Sequence, residues 1–184
     1  MTVLLRRTAP PLAAAVAGVC LSPVLPVHAE AAVIRDRAGD ISQPWDLHRV
    51  DVRNNARNVW IKMSFRDLAP DEVAGASLFL NTDLDQRPDF VFNAGLFDGT
   101  DYQLATTNSW NVRKPGEMVN CSYRMWLDYA TNTARVRFSK ACLSSSGNGT
   151  VRVEVRTSGQ DGEGGTIVDW LGKGRRFSRT IAQR

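Results

Sequence analysis

Val59-Trp60-Ile61-Lys62-Met63-Ser64-Phe65 sets an apolar residue at every second position. Successive side chains of a β-strand point to opposite faces, so Val59, Ile61, Met63 and Phe65 share one face and Trp60, Lys62 and Ser64 the other. The pattern returns at Val151, Val153 and Val155 against Arg152, Glu154 and Arg156. Shorter versions occur at Val50 and Val52, Leu78 and Leu80, and Phe90 and Phe92. Turn chemistry separates the runs, at Asn54-Asn55, Asp98-Gly99, Pro115-Gly116 and Gly147-Asn148-Gly149. Helical spacing is nearly absent. Short strands with one apolar face each predict an all-β fold, an antiparallel β-sandwich of two packed sheets. No internal repeat interrupts the pattern, and Gln160 to Gly165 reads as a flexible loop.

One hairpin can be placed in register. A turn at Ala130-Thr131-Asn132-Thr133 sets Leu127 opposite Val136, Met125 opposite Phe138 and Tyr123 opposite Lys140. The same register faces Cys121 with Cys142 on the apolar side, within disulfide reach. In the chain-entropy model such a bridge stabilises the fold by roughly 3 kcal/mol.

Residues 1–29 read as an export signal. Arg6 and Arg7 form a charged start, Leu12 to Leu21 is apolar, and Val27-His28-Ala29 offers small residues for cleavage. Pro10, Pro11, Pro23 and Pro26 leave the apolar run too short for a membrane anchor. Cleavage after Ala29 gives a single secreted, extracellular domain at residues 30–184, with Cys20 removed and Cys121 and Cys142 paired in an oxidising compartment. Removing Arg6 and Arg7 lowers the basic residues from 23 to 21 against 19 acids, a net charge of +2. That is too mild to argue for nucleic acid. No later segment is long and apolar enough to span a membrane.

Between two strand-like runs lies Asn81-Thr82-Asp83-Leu84-Asp85-Gln86-Arg87-Pro88-Asp89. Oxygen-bearing side chains at positions 1, 3, 5 and 9 of a tight loop can converge on Ca²⁺. The run resembles the short Asp-x-Asp-x-Asp-Gly-x-x-Asp calcium loops of secreted bacterial proteins. Gln86 stands where a glycine makes the turn, and Phe92 where a bidentate Glu closes the shell. The candidate metal set is Asn81, Asp83, Asp85, Arg87 and Asp89, with Asp36 or Asp40 completing it around a structural calcium ion. The competing reading is a solvated acidic hairpin loop.

Catalysis finds little support. His48 is the one histidine of the mature chain, and a disulfide would leave no thiol nucleophile. Zinc lacks nitrogen and sulfur ligands, and no glycine motif binds phosphate. Asp98, Asp101 and Asp128 leave a two-carboxylate hydrolase formally open. The sequons at Asn120 and Asn148 read as coincidence.

Aromatic residues are the remaining lead. Trp60 lies opposite the core-facing set of its strand. Trp126 is out of phase with Met125 and Leu127, pairs with Arg137 in the register above, and shares its face with Arg124 and Arg135. A tryptophan amid arginines could stack on a sugar ring or meet an anionic polymer. The opposing reading is a tryptophan covered by a loop or a second sheet. Trp45, Trp110 and Trp170 lie near turns and are expected to plug the ends of the sandwich.

Asp36-Arg37-Ala38-Gly39-Asp40, leading through Asp46-Leu47 into Val50-Asp51-Val52, resembles the opening of small secreted β-sandwich domains of the DOMON and family-nine carbohydrate-binding type. The resemblance continues through residues 58–66, Leu80-Asn81-Thr82-Asp83, the cysteine hairpin and Asp169-Trp170 with Arg175-Arg176-Phe177-Ser178. It implies the sandwich fold and a calcium ion. Haem-binding members use Met and His axial ligands, whereas here Met63 faces the core and His48 stands alone. The expected function is a non-catalytic binding module for polysaccharide or another cell-envelope polymer. A secreted proteinase inhibitor or protein-interaction factor using the loop Leu143 to Thr150 is the first rival, and the two-carboxylate hydrolase the second.

Overall fold

The computed structural model describes residues 30–37, 39–143 and 149–183. The expected signal segment lies outside the described residues, as does most of the 143–150 loop. Among the described residues, ten strands form two antiparallel five-stranded sheets. The first sheet runs in the order β1 (Glu30–Arg35), β2 (Leu47–Asn54), β3 (Asn58–Phe65), β8 (Thr133–Ser139), β7 (Tyr123–Asp128). The second runs β10 (Thr166–Trp170), β9 (Arg152–Gln160), β4 (Ala74–Asn81), β5 (Phe90–Gly95), β6 (Tyr102–Thr106). The apolar faces named above close on each other: Val50, Val52, Val59, Ile61, Val136 and Phe138 from one sheet meet Leu78, Leu80, Phe92, Val153 and Val155 from the other, all at most 1% exposed. The fold expected from period-two alternation is the fold found. Gln160 to Gly165 is the turn of the β9–β10 hairpin.

Cys121 and Cys142 are bonded, with Cα atoms 5.4 Å apart. The register that led to them is corrected by two residues. Tyr123 faces Phe138, Met125 faces Val136 and Trp126 faces Arg135, while Arg137 faces Arg124. Asp128 caps a 3-10 turn at Tyr129–Thr131 by accepting from the Thr131 N–H, and Asn132 follows in the left-handed conformation at φ 51°. The turn is therefore centred one residue earlier than the sequence suggested. A slip of two preserves every face, so the core assignment survives. The β7–β8 ladder ends at the Tyr123–Phe138 pair, and a second 3-10 turn, Lys140–Leu143, folds Cys142 back towards Cys121.

Trp45 is fully buried and rests on Gly159, where a Cβ would come within 2.7 Å of the indole. Trp110 and Trp170 do not plug the sandwich ends. They lie against Phe79 on the outer face of the second sheet, at 5.0 and 6.0 Å between ring centroids. Phe177 closes on Trp110 at 4.8 Å. This small second core, with Val91 and Ala105, explains why β4 is buried on both faces.

Candidate cation centre and aromatic face

The chain before β2 carries Asp36, Asp40 and Asp46, and β10 carries Asp169 at a core-facing position. Carboxylate oxygens of Asp40, Asp46 and Asp169 lie within 4.8 Å of one another. Asp46 and Asp169 are buried, Asp40 exposed. Asp46 Oδ2 accepts the Gly39 N–H at 2.7 Å and lies 3.0 Å from His48 Nε2, while Asp169 Oδ2 accepts the Leu47 N–H at 2.8 Å. Among the described residues, Asp46 Oδ1, Asp36 Oδ2 and Glu154 Oε1 are buried without a hydrogen-bond partner. Among the described residues, no lysine or arginine forms an ion pair with Asp36, Asp40, Asp46, Asp169 or Glu154.

Such a cluster is electrostatically unbalanced. Burial, then the charges of Asp36, Asp40 and Asp46, push the Asp169 pKa up to about 6. Burial and the Asp36 charge push Glu154 up to about 9. Burial first, with Asp40 and Asp46 adding, also raises Asp36. Hard oxygen ligands with unsatisfied lone pairs are what a divalent cation such as Ca²⁺ takes. The three aspartates can coordinate a divalent ion, with an exposed side at Asp40 for water to complete the shell.

The 81–89 loop has a different economy. The side-chain NH2 of Asn81 faces three acceptors with its two hydrogens, Asp83 Oδ1 at 2.9 Å, Asp85 Oδ1 at 3.1 Å and the Arg87 carbonyl at 2.7 Å. Arg152 donates to Asn81 Oδ1 at 2.6 Å through its Nη2 and also reaches the Asp85 carbonyl. Oxygens from positions 3, 5 and 7 do converge as a calcium loop requires, and protein donors meet them. Asp89 turns back, its Oδ2 accepting from the Thr82 N–H at 2.6 Å and hydroxyl at 2.8 Å. The left-handed residue is Leu84 at φ 71°, not Gln86, so the missing glycine at position 6 leaves no strain there. Asp40 gathers with Asp46 and Asp169, not with the loop carboxylates.

On the outer face of the first sheet, register builds a cationic field with two indoles. Arg53, Trp60, Arg137 and Arg124 lie in one cross-strand row, and Asp51, Lys62, Arg135 and Trp126 in the next. Trp60 and Trp126 stack at 5.9 Å between centroids and 12° between planes. The Arg124 guanidinium sits 5.2 Å over Trp126, and that of Arg137 5.7 Å over Trp60. Both indoles are half-buried, and a shallow cleft beside them is lined by Leu127, Asp128 and Arg135. Arg135 reaches Asp128 at 3.8 Å. Asp128, one of the three hydrolase carboxylates, thus serves as a turn cap.

Sequence reasoning missed Asp169 as a partner in the acidic cluster and left Asp46, which follows the Asp36–Asp40 turn, out of the ligand set. The available signal was an acid at an inward position of a strand, and β10 was too short and too polar to be recognised as one. No family model matches the chain, and no curated protein matches it.

Proposed function

We propose that the chain is a non-catalytic extracellular binding module, held in shape by calcium, that adheres to an anionic polysaccharide or another anionic cell-envelope polymer through the outer face of its first sheet. The observation that carries the reading is the Trp60–Trp126 stack flanked by Arg124, Arg135 and Arg137. Indole faces suit the C–H face of a sugar, and guanidinium groups suit its carboxylate or sulfate substituents. The field around the stack is mainly cationic: Asp51 is engaged by Arg49 at 2.7 Å, and Asp128, which caps its turn and meets Arg135 at 3.8 Å, is the one carboxylate lining the cleft. Calcium fits the acidic centre because Asp40, Asp46 and Asp169 converge there, Asp46 and Asp169 buried and Asp46 Oδ1 without a hydrogen-bond partner among the described residues. The resemblance to DOMON and family-nine carbohydrate-binding domains points the same way.

Retention on an immobilised acidic polysaccharide tests the reading. Trp126→Ala removes one stacking platform worth about 1 kcal/mol, so retention should fall about fivefold. Binding of the unaltered protein should weaken with salt, because exposed charges are screened within about 8–10 Å at physiological ionic strength. Retention unchanged by both the substitution and salt would overturn the assignment of this face.

A further inference from the structure

The outer face of the second sheet carries a second cross-strand row of side chains, anchored at one end by Trp170 on Phe79. Trp170 of β10 pairs with Arg156 of β9, which pairs with Ser77 of β4, then Asn93 of β5, then Gln103 of β6. One residue per strand thus crosses all five strands, on the face opposite Val155, Leu78, Phe92 and Leu104. At about 4.8 Å between strands the row spans about 19 Å. On one side of it the row Glu154, Phe79, Val91 and Ala105 is roofed by Trp110 and Trp170. On the other side Ser158, Gly75 and Gly95 keep the surface low. The result is a trough of about 700 Å³ over β9, β4, β5 and β6, walled by Val112 and Met118, with Asp101 as the one acidic residue of its lining, at the β6 end away from Arg156. Ligand sites fall in this size range.

The floor presents polar groups that water can reach and a ligand can replace. The Ser77 hydroxyl and the Asn93 and Gln103 amides have no hydrogen-bond partner among the described residues, although Ser77 is only 7% exposed. Polar groups held in a cleft without partners are matched by a ligand rich in hydroxyls. Met118, 57% exposed, adds an apolar edge.

At the Trp170 end the trough runs through Val112 and Arg156 into a second cleft of about 740 Å³, lined also by Arg87, Arg113, Arg175 and Trp110. None of these four arginines forms an ion pair among the described residues, and no acidic side chain lines the cleft. Arg156 is half-buried with one neutral contact, to Ser158 Oγ at 3.1 Å. Burial, with the Arg113 charge beside it, lowers its pKa. A half-buried guanidinium beside a second one lacks a counter-charge. The tail places Arg175 at this end by seating Gly174 on the Trp170 indole, where a Cβ would come within 2.9 Å.

We infer that this trough binds an acidic oligosaccharide laid across β6, β5, β4 and β9 of the second sheet, its hydroxyls meeting Ser77, Asn93 and Gln103 and its carboxylates meeting Arg156 and Arg113 at the end away from Asp101. The site is independent of the Trp60–Trp126 face, which belongs to the other sheet. Binding of tetragalacturonate, cellotetraose and inorganic pyrophosphate should be measured by isothermal titration calorimetry on the calcium-loaded protein. Tetragalacturonate should bind best. Asn93→Ala and Arg156→Gln should each weaken it at least tenfold, and Arg156→Gln should also narrow its preference over cellotetraose. Gln103→Glu, at an exposed position that the fold tolerates, should weaken it similarly by repulsion. Trp126→Ala should leave it unchanged. The inference is overturned if tetragalacturonate does not bind, if pyrophosphate binds as tightly, or if Gln103→Glu and Asn93→Ala are silent while Trp126→Ala abolishes binding.

Discussion

Replacing Asp169 by asparagine probes the cation centre with a sign that an ordinary structural carboxylate does not give. Asp169 is 3% exposed, and its one hydrogen bond, from the Leu47 N–H, can be accepted equally by an amide oxygen. Burial, with Asp36, Asp40 and Asp46, holds its pKa at about 6, against 3.8 for the free side chain. In the metal-free protein the contribution of this group is therefore full below about pH 4 and is lost as the pH rises through about 6. At 1.36 kcal/mol per pKa unit the loss is about 3 kcal/mol at most. The asparagine variant carries no charge to bury. In chelator at pH 7 it should be the more stable protein, and its advantage should vanish by pH 4. A domain of this size gains about 2–4 °C in melting temperature per kcal/mol, so the difference is several degrees. Calcium should reverse the order. An ion at a hundredfold excess over its Kd stabilises the unaltered protein by about 2.7 kcal/mol through mass action, whereas the variant, short of one ligand, gains little. Scanning calorimetry in chelator and in calcium, at pH 4 and pH 7, reads all four states. A variant less stable than the parent in chelator at pH 7, with the same calcium shift, would refute the reasoning.

Two further outcomes separate the remaining elements. Asp83→Ala in the 81–89 loop should leave most of the calcium shift in place, because Asn81 and Arg152 already satisfy that loop's oxygens; calorimetry in calcium that shows the shift lost would move the ion to the loop. Replacing Cys121 and Cys142 together by alanine opens a bridge between residues 21 apart in sequence, which in the chain-entropy model costs about 3 kcal/mol. Urea unfolding of the double variant should show that loss, and an unchanged midpoint would count against it.

The sandwich was legible because one period governs most of its core: Val59, Ile61, Met63 and Phe65 alternate so regularly that no helix accommodates them. The faces of the cysteine hairpin were legible for the same reason. Its register was not, because Asp128 can end a strand or cap a turn, and only the closed turn with Asn132 left-handed decides between them. Trp110 and Trp170 were misplaced because their partner is Phe79, on an outer face that alternation marks as solvent-exposed. The acidic centre was half legible. Asp36 and Asp40 stand in a visible turn, but Asp169 arrives from more than a hundred residues away. The polar trough was invisible for a related reason: Arg156, Ser77, Asn93 and Gln103 belong to four separate strands, and only strand order aligns them.

The position of the cation centre matters more than its composition. Asp46 leads into β2 of the first sheet, and Asp169 belongs to β10 of the second. The contacts around them also cross between sheets: the Leu47 N–H donates to Asp169, and the Thr157 hydroxyl donates to the Trp45 carbonyl at 3.1 Å. An ion held by Asp40, Asp46 and Asp169 would therefore bind one sheet to the other, where hydrophobic contact alone is non-directional. The disulfide does a different job, closing the far end of the β7–β8 hairpin within one sheet. The two outer faces proposed to bind ligands would need their rows of side chains held in line within each sheet, and a sandwich that slid at its interface would shift neither row within its own sheet. Calcium should consequently govern the stability of the domain while leaving the register of either binding row untouched.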